Sequence, residues 1–417
     1  MAYTETKTVG YGSRVGSSFR GIGAGFMMFL AGTALLWWNE GRVVKTDKML
    51  NEAESKTEAL ETIDRVDPEM DGKLVYAFGL ADTKDSLQDT QFGVGATAIK
   101  LKRQVEYYQY VEESHSETKD KLGGKQETVT TYTYKEAWTS SPVQSSQFHD
   151  PAYQTKNYVL NTAESDSWQA EKVTFGAFVL SENQIRSISG DQPVDLAIDS
   201  ARIEAWQKDI RQTLRVKFGG STENINAVHV SQNQLYFGIN PSSPNIGDVR
   251  ITWTKVLPAK VTIIAKQTGN TFTNFKAKNG KTFSTLQMGV RDAEEIYQGA
   301  HDSNHMMMWI FRIIGIVLVI SGLKGIFAFI ETIIKVVPFV ANIIGWGVGV
   351  VCTVIGVAWS LIIIAIAWLF YRPIIGIALL VIAGFLVWVF AFKGKDKLKE
   401  LAANAKKKEP APAPVAE

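Results

Sequence analysis

Cysteine is almost absent from this chain, and so are the usual residue patterns of catalysis. Of 417 residues only Cys352 is a cysteine, and it lies within an apolar run. The polar part of the chain therefore contains no disulfide and no thiolate metal site. It also lacks a Gly-x-Ser-x-Gly motif, paired carboxylates at an interpretable spacing and a histidine-anchored triad. We expect a protein that is not an enzyme and that needs no metal or other cofactor.

An excess of one charge and glycosylation signals are also lacking. The 44 basic and 42 acidic residues leave a formal net charge of +2, which does not indicate a nucleic-acid partner. The basic run 99–103 alternates with the period of a strand, so that Lys100 and Lys102 share a face with Glu106; we interpret it as a solvated face. No asparagine between residues 43 and 303 begins an Asn-x-Ser/Thr sequon, which favours a bacterial cell envelope over a glycosylating lumen.

Two small patterns resemble ligand sites. His301 and His305 lie four residues apart, a spacing that would suit zinc on a helix; without further ligand residues, a hydrated helix end beside a membrane is the simpler interpretation. Closely spaced glycines could indicate a phosphate loop, but they lie in apolar stretches and do not follow a strand. We therefore expect them to allow close helix packing: they are Gly21, Gly23 and Gly25, and Gly345, Gly347 and Gly349.

Long apolar stretches are present only at the two ends of the chain. Nineteen uncharged residues separate Arg20 from Glu40, and a nearly continuous apolar region begins at Met306. A helix needs about 20 apolar residues to cross a bilayer. Arg312 and Lys324 lie near the ends of their stretch, where long side chains reach the headgroups. We predict four transmembrane helices, at residues 22–38, 306–330, 340–366 and 372–392.

Basic residues determine the predicted orientation. Lys7, Arg14 and Arg20 precede the first span, and a lysine-rich, Pro/Ala-containing tail follows the last. Cytoplasmic segments are enriched in lysine and arginine, so residues 1–21 and 393–417 should both be cytoplasmic. A cleaved signal peptide is the alternative for the first span, and a fifth span is the alternative for the long run before Arg372. We prefer a retained first span and four spans, which place residues 39–305 outside the cytoplasm.

The segment 39–305 should fold as an α+β domain in which strands dominate. Residues 43–63 have helical periodicity and predict an amphipathic helix next to the membrane. The helix at 203–214 and a capping box at 181–184 follow later. Two β-rich halves are possible, at about 43–180 and 181–305. Period-two alternation predicts the strands: 74–78, 99–110, 129–138, 229–237, 249–253, 261–267 and 286–290.

Several ordered segments resemble one known family. Asn39-Glu40-Gly41-Arg42, Gly247-Asp248-Val249-Arg250 and Trp368-Leu369-Phe370-Tyr371-Arg372-Pro373 are similar to segments of the nuclear-envelope membrane protein LUMA and its bacterial relatives, as are the runs 98–112 and 261–267. The resemblance implies four spans with both termini cytoplasmic. It also implies self-association and the scaffolding of other membrane proteins, and a channel role has been proposed for the family.

The resulting hypothesis is a multipass inner-membrane scaffold with a periplasmic domain, or one of the endoplasmic reticulum and inner nuclear membrane in a eukaryote. We expect membrane lipids, copies of the same chain and other membrane proteins as partners, and no nucleic acid. The alternative is a cation channel or channel-regulating subunit formed by the spans. The motifs on the outer side of the first and last spans should meet where the domain joins the bundle, which makes these residues the candidate interface: Asn39, Glu40, Gly41, Arg42, Tyr371, Arg372 and Pro373.

Overall fold

The computed structural model describes residues 3–334, residues 338–371 and six single positions between 377 and 388. The described chain divides into two compact units. A β-rich unit contains the residues up to Lys7 together with Met49–Thr118 and Thr128–Gly299, and a helical unit contains Thr8–Lys48, Lys119–Glu127 and the described residues from Ala300 onward. The predicted tail 393–417 and most of the predicted fourth span, 372–392, lie outside the described residues.

The described chain contains five α-helices, nineteen strands and two short 3-10 helices, Pro68–Met70 and Ser145–Gln147. The helices are α1 Tyr11–Lys56, α2 Glu182–Ser187, α3 Ser200–Phe218, α4 Ala293–Ile334 and α5 Pro338–Tyr371. The strands are β1 Tyr3–Val9, β2 Thr57–Ala59, β3 Leu74–Asp82, β4 Ser86–Asp89, β5 Val94–Thr97, β6 Lys100–Asp120, β7 Gln126–Thr139, β8 Asp166–Gln169, β9 Thr174–Phe175, β10 Phe178–Val179, β11 Asp191–Pro193, β12 Val228–Val230, β13 Gln234–Phe237, β14 Val249–Val256, β15 Ala259–Thr268, β16 Thr271–Thr273, β17 Phe275–Lys276, β18 Thr282–Phe283 and β19 Thr285–Met288.

Two sheets organise the β-rich unit, which confirms the mixed α+β class. One has the order β1-β7-β6-β14-β13-β12, with β11 on β14 and β8 on β6; the other has the order β19-β15-β16-β10-β9-β3-β2, with β15 also paired to β3. The long antiparallel pairings β6–β14 and β3–β15 join early and late parts of the chain. Both sheets thus take strands from before and after residue 180, so the two predicted halves do not fold separately.

Each sheet has its own hydrophobic core. Val75, Phe175, Phe178 and Ile263 are among the residues buried around the second sheet, and the aromatic pair Phe178–Phe272 stacks there with ring centroids 4.8 Å apart. Trp253, Tyr107 and Ile210 belong to the core of the first sheet. Helix α3 contributes to this core through its apolar face, as its period of 3.6 residues predicts.

Most predicted strands are present, with extended or divided boundaries. The predicted strand 229–237 is a hairpin of β12 and β13. Gly269 and Gly280 have φ angles of 57° and 82°, which glycine adopts without strain, and each lies in a turn between antiparallel strands, β15–β16 and β17–β18. The predicted capping box is present as well: the Ser181 backbone N–H donates to Gln184 Oε1 at 2.9 Å.

The predicted first span 22–38 and the predicted amphipathic helix 43–63 are not separate helices, and the helix ends before residue 63. Helix α1 is continuous from Tyr11 to Lys56, and Leu60 and Ile63 follow it in non-helical chain. Gly41 is the only helix-weakening residue at the expected junction, and one glycine costs a helix only about 1 kcal/mol. As a result residues 39–48 belong to the helical unit and not to the domain that we predicted to start at residue 39.

Three described helices are long and apolar enough to cross a membrane. They are Tyr11–Lys56, Ala293–Phe329 within α4 and Gly347–Tyr371 within α5. They contain the predicted spans 22–38 and 306–330 and most of 340–366. The predicted N-terminal tail is structured from Tyr3 onward, because β1 pairs with β7 and α1 begins at Tyr11.

Candidate functional site: a buried polar cluster in the helical unit

Glycines bring α1 and α4 into backbone contact. A Cβ built on Gly25 would lie 2.8 Å from Gly322 O, and one on Gly32 would lie 2.9 Å from Gly315 O. Only residues without a side chain permit so close an approach. The expected close packing therefore holds for Gly25, whereas Gly21, Gly23, Gly347 and Gly349 have no neighbour within 4 Å of such a Cβ. The side-chain surroundings of Gly345 lie outside the described residues.

This packing places Glu40 of α1 beside Arg312 of α4. Arg312 Nε donates to Glu40 Oε1 at 2.6 Å, and Arg312 Nη2 donates to Glu40 Oε2 at 2.8 Å. Glu40 is 1 % exposed and Arg312 is 8 % exposed. Two parallel N–H···O bonds are the strongest geometry for this pair of side chains. Arg312 therefore does not extend to the headgroups, as the sequence had suggested, but is neutralised within the helical unit.

Helix α5 completes the ion pair through Trp368. Its indole N–H donates to Glu40 Oε2, and the Arg312 guanidinium lies over the Trp368 ring, 5.3 Å from its centroid, and over Trp309 at 5.0 Å. Aromatic faces stabilise a cation that has been removed from water. One carboxylate thus links all three helices. Three N–H groups, from Arg312 and Trp368, donate to its two oxygens.

A second part of the cluster contains amides and extends along the same two helices. Fully buried Asn39 donates from Nδ2 to Met308 O at 3.0 Å and accepts from Arg42. Arg42 Nη1 donates to Asn304 Oδ1 at 3.1 Å, and Asn304 Nδ2 donates to Asp47 Oδ1 at 2.8 Å. The orientation of the Asn304 amide follows from its partners, since its oxygen faces a cation and its nitrogen a carboxylate. Arginine and aspartate are therefore bridged by a side chain that can serve both.

The two histidines lie at the end of this network. His301 Nδ1 is 3.4 Å from Asp47 Oδ1 and His305 Nε2 is 3.9 Å from the same oxygen. Within residues 3–334 and 338–371 no group of three or more His, Cys, Asp and Glu side chains is arranged to hold a metal ion. The i,i+4 spacing thus brings both rings to one carboxylate without forming a metal centre in the part of the chain that the structure describes.

The candidate interface residues meet this cluster. Asn39, Glu40 and Arg42 belong to it, and a Cβ on Gly41 would lie 2.8 Å from Tyr371 Oη, so the two motifs lie side by side. Arg372 and Pro373 lie outside the described residues. The sequence did not identify Arg312, Asn304, Asp47 or Trp368 as partners. The charge of Arg312 inside an apolar run is a signal in the sequence, but nothing in the local sequence selects Glu40 as its partner.

The β-rich unit contains a similar buried group. Arg103 Nη1 lies 2.9 Å from both oxygens of Asp89, and Trp253 Nε1 donates to Asp89 Oδ2 at 2.9 Å. Arg103 is 6 % exposed and Asp89 is 1 % exposed. The strand alternation of β6 explains this, because Arg103 faces the core with Leu101 and Val105 while Lys102 points outward and pairs with Asp191. The predicted solvated face therefore holds for Lys102 and excludes Arg103, whereas Lys100 is partly buried and donates from Nζ to the backbone carbonyls of Arg186 and Ile188.

A further buried carboxylate has no arginine partner among the residues that the structure describes. Asp248 Oδ2 accepts from Tyr236 Oη at 2.6 Å and from Asn245 N at 2.8 Å. Burial raises the pKa of the Asp248 carboxyl above its ordinary value, and the two hydrogen bonds oppose that rise in part. Burial and the neighbouring Asp248 also raise the pKa of Tyr236.

An apolar helical unit with an internally neutralised polar cluster, continuous in sequence with a β-rich unit, defines an integral membrane protein. The family model described as Transmembrane protein 43 matches residues 107–373. Transmembrane protein 43 of Rattus norvegicus is 30 % identical over 377 residues, and that of Homo sapiens is 30 % identical over 370 residues; each alignment covers 88 % of both chains. A homologue from Drosophila melanogaster is 23 % identical over 372 residues, which is 85 % of this chain and 90 % of that protein. No solved structure matches the chain significantly.

The chain therefore belongs to the Transmembrane protein 43 family, which confirms the resemblance to LUMA. The match extends over more than half of the sequence and includes both the strands β6 and β14 and the helices α4 and α5.

Proposed function

We propose that the protein is a membrane scaffold that self-associates and organises membrane or envelope partners through its extracytoplasmic domain. The observation that supports this best is the Glu40–Arg312–Trp368 group. It satisfies the buried charges of three helices inside one chain. In a membrane such charges either pair or line an ion pathway, and pairing is the arrangement of a structural element.

The outer surface of the helical unit is available for lipid or for neighbouring subunits. Apolar side chains on all three helices are exposed, among them Met27, Ile313, Val317 and Val351. Transmembrane helices associate through packing where small residues allow it, and several glycines of α1 and α4 are already used within the chain. Self-association would therefore use the larger apolar side chains or the β-rich unit.

The proposed location follows from charge placement and from the family. The lysine-rich flanks favour cytoplasmic termini, so the domain lies in the periplasm if the protein is in a bacterial inner membrane. In a eukaryote the corresponding place is the lumen of the endoplasmic reticulum and inner nuclear membrane. The scaffold proposal requires no enzyme activity in either setting.

Two measurements on the intact protein test the proposal. Native mass spectrometry from detergent, combined with crosslinking in membranes, should give a defined oligomer and a reproducible set of crosslinked membrane proteins. Reconstituted protein in planar bilayers should not conduct. A strictly monomeric mass, no specific crosslinks and cation conductance that the Glu40→Gln substitution alters would instead establish the channel.

A matched control separates the cluster from general instability. Glu106→Gln alters an ion pair with Arg250 in the β-rich unit, in which both side chains are partly exposed, so it should change neither oligomer nor conductance. Conductance changed equally by Glu106→Gln and Glu40→Gln would show that the current is unrelated to the helical unit.

A further inference from the structure

The β-rich unit contains a polar cavity that the scaffold role does not use. It has a volume of about 380 Å³ and lies between α2 and the strands β16 and β19. Its lining is dominated by hydroxyl and amide side chains and contains no acidic, basic or histidine side chain. Ligand pockets in proteins commonly begin at roughly 300 Å³. Six of the polar lining residues are Asn183, Gln184, Ser187, Thr273, Asn274 and Ser284.

One of these side chains has an unused donor. Gln184 is 5 % exposed, and its Nε2 has no hydrogen-bond partner among the described residues. The amide cannot simply be turned around, because its Oε1 accepts from both the backbone N–H and the hydroxyl of Ser181. The capping box therefore fixes the oxygen toward Ser181 and leaves the N–H₂ group as the polar end toward the cavity. A buried donor without an acceptor is costly, so the site is arranged for an acceptor that comes from outside the chain.

The chemistry of the lining selects the class of ligand. An anion would be expected to find an arginine or lysine, and a cation a carboxylate, and neither is present. Hydroxyl and amide groups can both donate and accept, which suits a neutral molecule that carries many hydroxyl groups. The fixed N–H₂ of Gln184 additionally requires a good acceptor such as an amide carbonyl.

We propose that this cavity is a binding site for a neutral saccharide, with Gln184 Nε2 donating to a carbonyl or hydroxyl oxygen of the sugar. N-Acetylglucosamine contains both kinds of oxygen and is small enough to serve as a probe. The site is independent of the scaffold role, because it lies wholly within the β-rich unit and uses none of the cluster residues of the helical unit.

The test uses full-length protein in detergent and saturation-transfer NMR with N-acetylglucosamine, titrated to obtain a Kd. Gln184→Glu retains the oxygen that accepts from Ser181 but replaces the N–H₂ group. We expect it to weaken binding at least about tenfold, the effect of losing one hydrogen bond and leaving an acceptor opposite an acceptor, with little change in Tm. Gln147→Glu, at an exposed glutamine elsewhere in the unit, should bind as wild type.

A second variant protects the conclusion if Gln184→Glu proves unstable. Ser187→Trp introduces a large side chain at a partly open edge of the cavity and should abolish the NMR signal while the fold is retained. Either of two results would overturn the proposal: no saccharide signal with wild type, which means that only water meets Gln184, or a signal that both substitutions leave unchanged.

Discussion

The chain uses the same three kinds of side chain twice, once in each unit. Asp89, Arg103 and Trp253 form the group of the β-rich unit, and Glu40, Arg312 and Trp368 that of the helical unit. In both groups the arginine lies over two aromatic rings. The two groups thus share their kinds of side chain, although Arg312 forms two parallel bonds to its carboxylate and Arg103 presents one nitrogen to both oxygens.

The two groups differ in the unfolded or separated state against which their stability is measured. When the β-rich unit unfolds, its ions return to water, so pairing must overcome a large desolvation cost. When membrane helices separate, their polar groups remain in or near lipid and find other partners there, and measured interaction energies are small. The same contacts should therefore be worth different amounts, and the measurements below compare them.

The first test asks on which side of the membrane the tip of the β6–β7 hairpin and the start of α1 lie, and its outcome is all or none. Cys352 is buried, so in a Cys352→Ala background we expect Leu122→Cys, which replaces a highly exposed residue at the hairpin tip, to react with an impermeant thiol reagent added to the extracytoplasmic side of the membrane, as in spheroplasts. Gly10→Cys, just before α1, should react only after permeabilisation. Labelling of both positions from one side would refute the predicted sidedness.

This labelling experiment also shows whether one ion pair is closed or open in the membrane. Arg14 at the start of α1 contacts Asp120 at 2.8 Å and donates to Gly124 O at 2.8 Å, both in the hairpin tip. If the hairpin is extracytoplasmic and the start of α1 is cytoplasmic, these contacts must open, as must the pairing of β1 with β7. If these contacts stayed closed, polar strand residues would lie in the hydrocarbon of the membrane. This would cost several kcal/mol for each polar group without a hydrogen-bond partner.

The largest energetic effect is expected in the β-rich unit. Arg103→Met removes the cation and leaves Asp89 buried with fewer donors, so unfolding free energy should fall by about 3–5 kcal/mol. The readout is denaturant unfolding followed by near-UV circular dichroism. Adding Asp89→Asn to Arg103→Met should recover part of the loss, and failure to recover any would mean that packing and not charge is responsible.

The matching substitution in the helical unit should cost less. We expect Arg312→Met to reduce the stability of helix association by roughly 1–3 kcal/mol, because the Glu40 carboxyl of separated helices finds other partners in the membrane. The stability of helix association is measured as resistance to unfolding in mixed detergent. The double variant Glu40→Gln/Arg312→Met, in which neither side chain is charged, is the comparison. A loss equal to that of Arg103→Met would contradict the proposal that the energy of such a pair depends on whether its separated groups are in water or in the membrane.

Helix packing provides a smaller effect with a matched control. Gly32→Ala places a methyl group 2.9 Å from Gly315 O, so the same unfolding assay should show a loss of about 1–3 kcal/mol from overpacking. Gly23→Ala lies on the same helix with no neighbour within 4 Å of the added carbon and should be neutral or slightly stabilising. Equal effects would show that the glycines act through helix propensity alone.

The smallest effect concerns Asp248, the buried carboxylate without arginine. Its folded pKa is raised above 3.8 by burial, so the folded protein holds its proton more tightly than the unfolded chain. Stability from this group is therefore present below pH 3.8 and is lost as pH rises through the folded pKa. Relative to wild type, Asp248→Asn should gain stability across that window in a pH series of denaturant unfolding. A stability difference between wild type and Asp248→Asn that does not change with pH would contradict the raised pKa of Asp248.

The sequence predicted what depends on periodicity. Strand alternation indicated most of the strands, and apolar length indicated the spans that the structure describes, because both patterns report local burial. It also indicated the motif at Asn39–Arg42, through resemblance. The continuity of α1 is not evident from the sequence, because the change from apolar to charged residues after residue 38 resembles the end of a helix.

Pairing across the chain could not be read from the sequence. Glu40 and Arg312 are 272 residues apart, and neither local spacing nor composition selects one partner among many charges. The same limit explains the interleaved sheets, where β3 pairs with β15, and the burial of Arg103 beside Asp89. Such contacts arise from the arrangement of elements in space, for which one sequence without an alignment contains no direct signal.

The sequence separation of the Glu40–Arg312 pair also matters for biosynthesis. At typical elongation rates of about 5–20 residues per second, the ribosome needs on the order of ten to fifty seconds to make the intervening 272 residues. During that interval the first helix has to reside in the translocation machinery or the bilayer without its counterion. Nascent chains halted before Arg312 should consequently be prime clients for insertion chaperones and for membrane quality-control proteases.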